Sequence, residues 1–143
     1  MAQIVARTRF GPETYEAGVA ITGGQLVKAG SGGTAGKVIP TAGVNDEWLG
    51  VALYDAQPAG TTGATTIWGF ASVDASVPQP NVAVAWQGVF KLTASEALNF
   101  GDRVYPSATA GQVQKTTTTG RAVGQVVDPA GIASGAAGLV RLF

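Results

Sequence analysis

Residues 82–92 read VAVAWQGVFKL and alternate in character along their whole length. Val82, Val84, Trp86, Phe90 and Leu92, with Gly88 in the same series, fall on one face. Ala83, Ala85, Gln87, Val89 and Lys91 fall on the other. Side chains of a strand point to opposite faces with period two, so the stretch predicts one long β-strand with a large apolar face. Gly88 leaves a gap in that face, which predicts a bulge or a close backbone approach. A lone strand cannot hide a Trp and a Phe from water, so the remaining chain must supply neighbours that cover them.

It does so with short strands and many turns. Val19-Ala20-Ile21, Gln25-Leu26-Val27-Lys28, Val38-Ile39-Pro40, residues 48–55, Ile67-Trp68-Gly69-Phe70, Arg103-Val104-Tyr105-Pro106, and residues 111–115, 122–128 and 139–143 read as strands bounded by Gly, Pro, Asn and Asp. In residues 48–55, Leu49, Val51 and Leu53 share one face and Trp48 and Tyr54 the other. Apolar bulk on both faces predicts a strand covered on both sides. Glycine is 21 of 143 residues, well above the usual ~7%, as many tight turns require. Residues 93–100, TASEALNF, predict one short helix, with Thr93 as cap and Glu96 at capping-box spacing. Residues 1–16, with Arg7, Arg9, Gly11-Pro12, Glu13 and Glu16, differ from the rest and read as an N-terminal arm, with a short edge strand or a frayed terminus as the alternative. Residues 17–143 then form a single β-rich domain. The expected fold is all-β with one short helix, a compact sandwich or barrel carrying an extended arm.

A loose internal repeat is visible. Gly36-Lys37-Val38 leads to Leu49-Gly50-Val51, and Gly111-Gln112-Val113 leads to Val123-Gly124-Gln125, each followed by an Ala- and Gly-rich loop. Gly18 and Gly101 precede the first short apolar strand of each part. The pattern predicts two related β units flanking the long strand.

Reactive chemistry is poorly provided for. The chain has no Cys and no His, which removes disulfides, thiol nucleophiles, the usual serine triad and the commonest zinc ligands. Residues 29–36, AGSGGTAG, are Gly-rich, but Gly36-Lys37 runs into Val38-Ile39-Pro40 instead of a Ser/Thr that opens a helix, so they read as a hairpin loop and not a phosphate cradle. Asp46-Glu47 lies in a turn. Asp55 and Asp128 stand at strand ends, where Asp caps turns through its own side chain. No Asp-rich run offers a calcium loop. Charged residues are 13% and the net charge is zero, unlike a nucleic-acid binder. No run approaches the ~18 apolar residues of a membrane helix, and residues 1–10 are too polar for a signal peptide. The expectation is a soluble protein that is not an enzyme, with no cofactor, metal, nucleic acid, membrane or small-molecule substrate. The arm offers another role: Ile4, Val5 and Phe10 as apolar anchors and Arg7 and Arg9 as charge contacts, ordering against a partner surface.

Taken in order, several elements carry a family likeness. They are the basic arm, a Gly-initiated apolar strand, Leu49-Gly50-Val51-Ala52, Gln87-Gly88-Val89-Phe90, Phe100-Gly101-Asp102-Arg103-Val104-Tyr105, Gly111-Gln112-Val113, Val123-Gly124-Gln125-Val126-Val127, and Leu139-Val140-Arg141-Leu142. From about Ala17 onward the chain resembles the small capsid decoration, or cement, proteins of tailed bacteriophages. The resemblance implies a structural protein that binds the exterior of the mature phage head as a homotrimer and bridges major capsid protein subunits. Its location would be the virion surface, after the host cytoplasm. Trp48, Tyr54 and Trp68 are then expected to serve subunit or capsid contacts, and Trp86 and Phe90 the core. Another phage module, of tail or head fibre, and a carbohydrate-binding β-sandwich that uses exposed aromatics are the alternatives.

Overall fold

The alternating stretch bends in the middle. The computed structural model describes residues 11–59, 79–116 and 120–143. Its strands are β1 (Glu13–Glu16), β2 (Leu26–Ala29), β3 (Val38–Pro40), β4 (Trp48–Ala52), β5 (Asn81–Ala85), β6 (Val89–Thr93), β7 (Arg103–Pro106), β8 (Val113–Gln114), β9 (Gly124–Val126) and β10 (Ala137–Leu142). They make two five-stranded antiparallel sheets, ordered β1-β5-β4-β2-β3 and β6-β10-β9-β7-β8. The expected single strand over 82–92 is therefore corrected to two. β5 belongs to the first sheet, β6 to the second, and Trp86, Gln87 and Gly88 join them. Gly88 adopts φ 120°, a backbone conformation that side-chain-bearing residues rarely take. The face assignment holds on both sides of the bend. Val82 and Val84 are buried in one cluster, and Leu92 in another, with Phe90 packed against it.

The second sheet repeats the order of the first with every strand advanced by five. The bridges outside the strands repeat too: Ala17 with Val38 matches Ala94 with Val113, and Ile21 with Ala56 matches Leu98 with Ile132. So do loop hydrogen bonds. Gly24 N–H donates to Ala52 C=O as Gly101 does to Val126. Leu53 N–H donates to Ala83 C=O as Val127 does to Leu139. The two units read from the sequence are thus present, and residues 36–38 correspond to 111–113 as expected. Gly50 corresponds to Gly124, and neither has room for a Cβ against the facing strand carbonyl, Ala85 in one unit and Arg141 in the other. One correspondence is corrected: the partner of Gly101 is Gly24, not Gly18, the two sharing φ 88° and 87°.

Each unit buries its own apolar set, and the units share a third layer. In the first, Ala17, Ile21, Val27, Val38, Ala52, Ala56, Val82 and Val84 cluster with Tyr15. In the second, Leu92, Leu98, Val104, Val113, Val126 and Val140 take corresponding places. Leu26, Trp48 and Val51 of the first unit join that second cluster. Strands β2 and β4 are therefore covered on both faces, as apolar residues on both sides of 48–55 predict. The register shift between Val27 and Lys28 leaves Leu49 exposed and turns Trp48 to the same side as Val51; Leu53, past the end of β4, is exposed as well.

Other expectations are revised. Residues 93–100 are not helical: Ala94 and Leu98 are buried and bridge to other strands. The capping-box spacing misleads because the Glu96 carboxylate reaches across to the amides of Lys115 and Thr116, at 2.7 and 2.9 Å. Val19-Ala20-Ile21 forms no strand, and of the three only Ile21 bridges, to Ala56. Glu13–Glu16 takes the edge-strand alternative to the arm and pairs with β5. The expected strand Ile67-Trp68-Gly69-Phe70 lies outside the described residues.

The Thr116 amide, and to a smaller extent that of Lys115, hold the Glu96 carboxyl below the ordinary carboxylate range, against a smaller opposing effect of burial. A carboxylate with a lowered folded-state pKa stabilises the fold above its unfolded pKa, and that contribution is lost as pH falls through the folded value. Glu96→Gln should lower the urea midpoint at neutral pH and leave a shallower decline on acidification. An unchanged pH profile would assign no linkage to this residue.

Candidate contact surface

The bend between the sheets leaves an apolar groove of about 180 Å³, lined by Gly11, Pro12, Leu53, Ala85, Trp86, Gln87 and Phe90. β5 delivers Ala85, the bend delivers Trp86 and Gln87, and β6 delivers Phe90. Leu53 follows β4. Gly11 and Pro12 carry the chain into β1. Trp86 and Phe90 are half-buried, and Leu53 and Tyr54 beside them are 42% and 38% exposed. Gln87 is the only described lining residue with a hydrogen-bonding side-chain group other than the indole of Trp86. Such a groove suits burial of an apolar partner segment, and its described lining offers no titratable group for chemistry.

Several carboxylates among the described residues hold loops. Asp46 accepts from Ala42 and Gly43 amides at 2.7 and 2.8 Å and from the Lys28 ammonium at 2.8 Å. Partial burial raises its pKa, but the Lys28 bond and the two amides outweigh that, and the net shift is downward. Asp128 accepts from the Ala130 amide two residues on, the turn cap expected of it. Asp55 instead accepts from Gly23 at 2.8 Å, tying the end of the first unit's fourth strand to a distant turn. Tyr15 donates to Glu13 at 2.7 Å; that bond, then burial, pushes the phenol upward. Among the described residues, no three of His, Cys, Asp and Glu come together as metal ligands. No described helix is long and apolar enough to cross a membrane.

The expected contact residues fall in three places. Ile4, Val5, Arg7, Arg9, Phe10 and Trp68 lie outside the described residues. Tyr54 is at the surface beside the groove. Trp48 is in the core, 3% exposed: its Nε1 donates to the Ala122 carbonyl at 3.1 Å, and the Arg121 guanidinium lies 4.6 Å from its ring centre. It cements the first unit to the second and presents no face to a partner. The groove itself was hidden from the sequence, because it depends on the bend that divides residues 82–92; Gly88 was the one signal of it.

A duplicated all-β chain with two antiparallel five-stranded sheets and an apolar groove at their joint is the class defined by this geometry. A solved structure shares that fold: the N base of head fibre gp8.5 of bacteriophage phi29 superposes with a TM-score of 0.60, at 14% sequence identity, over 92% of each chain. No protein-family model matches the chain. No curated protein matches it significantly.

Proposed function

We propose that this protein is a structural component of a bacteriophage head that binds the head exterior and stabilises contacts between major capsid protein subunits. The observation that carries this reading is the fold shared with a phage head-fibre base over 92% of both chains. The same observation favours a second form of it, in which the protein is the base of a head fibre instead of a cement. The groove favours binding over catalysis, since its described lining is apolar, and the carboxylates of Asp46 and Asp55 hold loops. A protein that binds the expanded shell and not its dissociated subunits stabilises that shell by mass action, and several weak contacts on a lattice add through multivalency. The protein acts as a homo-oligomer, a trimer in the cement reading, without cofactor, on the virion surface after a period in the host cytoplasm.

Co-sedimentation with expanded heads lacking the protein tests this. Saturable binding at a fixed ratio to the major capsid protein is expected; one complete set per lattice site supports a cement, and sparse attachment a fibre base. A folded protein that stays in the supernatant overturns both. Removal of residues 1–10 should leave the far-ultraviolet spectrum unchanged and weaken head binding; full retention would discard the arm as an anchor.

A further inference from the structure

The described residues include seven lysines and arginines, and they divide sharply. Lys28 pairs with Asp46 at 2.8 Å, Lys37 with Glu16 at 3.0 Å, and Lys115 with Asp102 and Arg121 with Glu47 at 3.9 Å each. Among the described residues, Lys91, Arg103 and Arg141 have no carboxylate partner. All three project from the outer face of the second sheet.

Strand register sets them in place. Val89 on β6 stands beside Arg141 on β10, Arg141 beside Gln125 on β9, and Gln125 beside Arg103 on β7, one continuous row across four strands. Lys91 and Leu139 form the next pair. The row is ordered internally: Arg141 donates to the Gln125 side chain at 3.1 Å, and Arg103 lies 5.5 Å from the Phe143 ring centre. Val89, Leu139 and Phe143 stand among the cations at 49%, 37% and 55% exposure. The outward positions of β6, β7, β9 and β10 hold no carboxylate.

The first unit shows what this side of the repeat is for. Its corresponding row is Ala85, Val51 and Leu26, adjacent in the same way. There Val51 and Leu26 are buried in the cluster shared with the second unit. Among the described residues no further unit covers the same side of the second unit, and it carries Arg, Gln and Arg where the first has apolar residues.

We infer that the outer face of the second sheet docks on an acidic protein surface. Three cations without counter-ions among the described residues, beside exposed apolar groups, fit a partner that supplies carboxylates at the rim and apolar contact between them. A nucleic acid fits less well: net charge is zero, and the interleaved Val and Leu offer phosphates nothing. The assignment of that surface to the phage head shell rests on the proposed function; the docking chemistry does not.

The test uses the full chain and a variant carrying Lys91→Glu, Arg103→Glu and Arg141→Glu, with poly-L-glutamate, duplex DNA and expanded heads as separate probes. Wild type should bind poly-L-glutamate in a salt-sensitive way, and the variant should bind it at least roughly tenfold more weakly. Head binding should fall by a similar factor at unchanged solution mass. If charge reversal prevents folding, the matching Gln variant is read in its place and should lose most of the salt dependence. Wild type that binds poly-L-glutamate through these residues but ignores heads upholds the docking face and overturns the head reading. Equal binding by variant and wild type, tighter binding of duplex DNA than of poly-L-glutamate, or a fall in the variant's solution mass each overturns the inference.

Discussion

Gly124→Ala should destabilise the protein by about 3 kcal/mol or more, a large effect for one methyl group. Gly124 opens β9, which lies between β10 and β7 in the second sheet. An added Cβ would overlap the Arg141 carbonyl oxygen, with the Arg141 carbonyl carbon and Leu142 Cα close behind. These are backbone atoms of a hydrogen-bonded central strand, so no rotamer change relieves the overlap; the ladder itself has to open. Gly50→Ala should act in the same direction, because the Ala85 carbonyl stands at the corresponding place in the first sheet. Gly33 has open space where its Cβ would be, and Gly33→Ala should stay within about 0.5 kcal/mol of wild type. Urea unfolding of the three variants checks this. A Gly124→Ala protein as stable as the Gly33→Ala control would mean that the close approach of β10 to β9 is not a feature of the fold.

Trp48→Ala should cost about 3–5 kcal/mol, the range for removing a buried large aromatic. Three interactions go at once: apolar burial against Leu26, Val51 and the second cluster, the Nε1 bond to Ala122, and the stacking of Arg121. The bond matters in a particular way, since the Ala122 carbonyl would lose its partner. Because Trp48 comes from the first unit and Ala122 from the second, the loss falls on the joint. Unfolding followed by far-ultraviolet dichroism and by emission of the remaining tryptophans should stay coincident in wild type and separate in Trp48→Ala, as the units uncouple. A loss under about 1 kcal/mol would move Trp48 out of the core.

The two predictions mark where sequence reading succeeds and where it stops. Seven of the strands, β2 to β4 and β7 to β10, the all-β class and the twofold repetition were legible, because glycine spacing and period-two alternation are local properties. The bend at residues 86–88 was not legible from alternation. Val82, Val84, Phe90 and Leu92 all carry even numbers, so the apolar parity passes through the bend unchanged while the chain changes sheets. Glu96 was misread because its spacing from Thr93 is compatible with a helix cap, and only the long-range approach of residues 115–116 shows what the carboxylate binds. Trp48 was misread for a related reason: an aromatic residue on a two-faced strand fits a core or a contact surface equally well, and the register shift at Val27 and Lys28 decides between them. The joint groove and the outward row Val89, Arg141, Gln125 and Arg103 are products of register across several strands. No single stretch of sequence contains them.

The layout also sets an order of events on the ribosome. In each sheet the last strand made, β5 or β10, is inserted between the first strand and the others, so neither sheet closes until its final strand has emerged. The first sheet is finished while the second is still being translated. During that interval the side bearing Leu26, Trp48 and Val51 is turned to solvent without its cover. Until residues 89–142 follow, a nascent chain exposes an adhesive surface to its neighbours on the same messenger. Slow elongation past the bend prolongs that exposure, and rapid synthesis of the second half ends it.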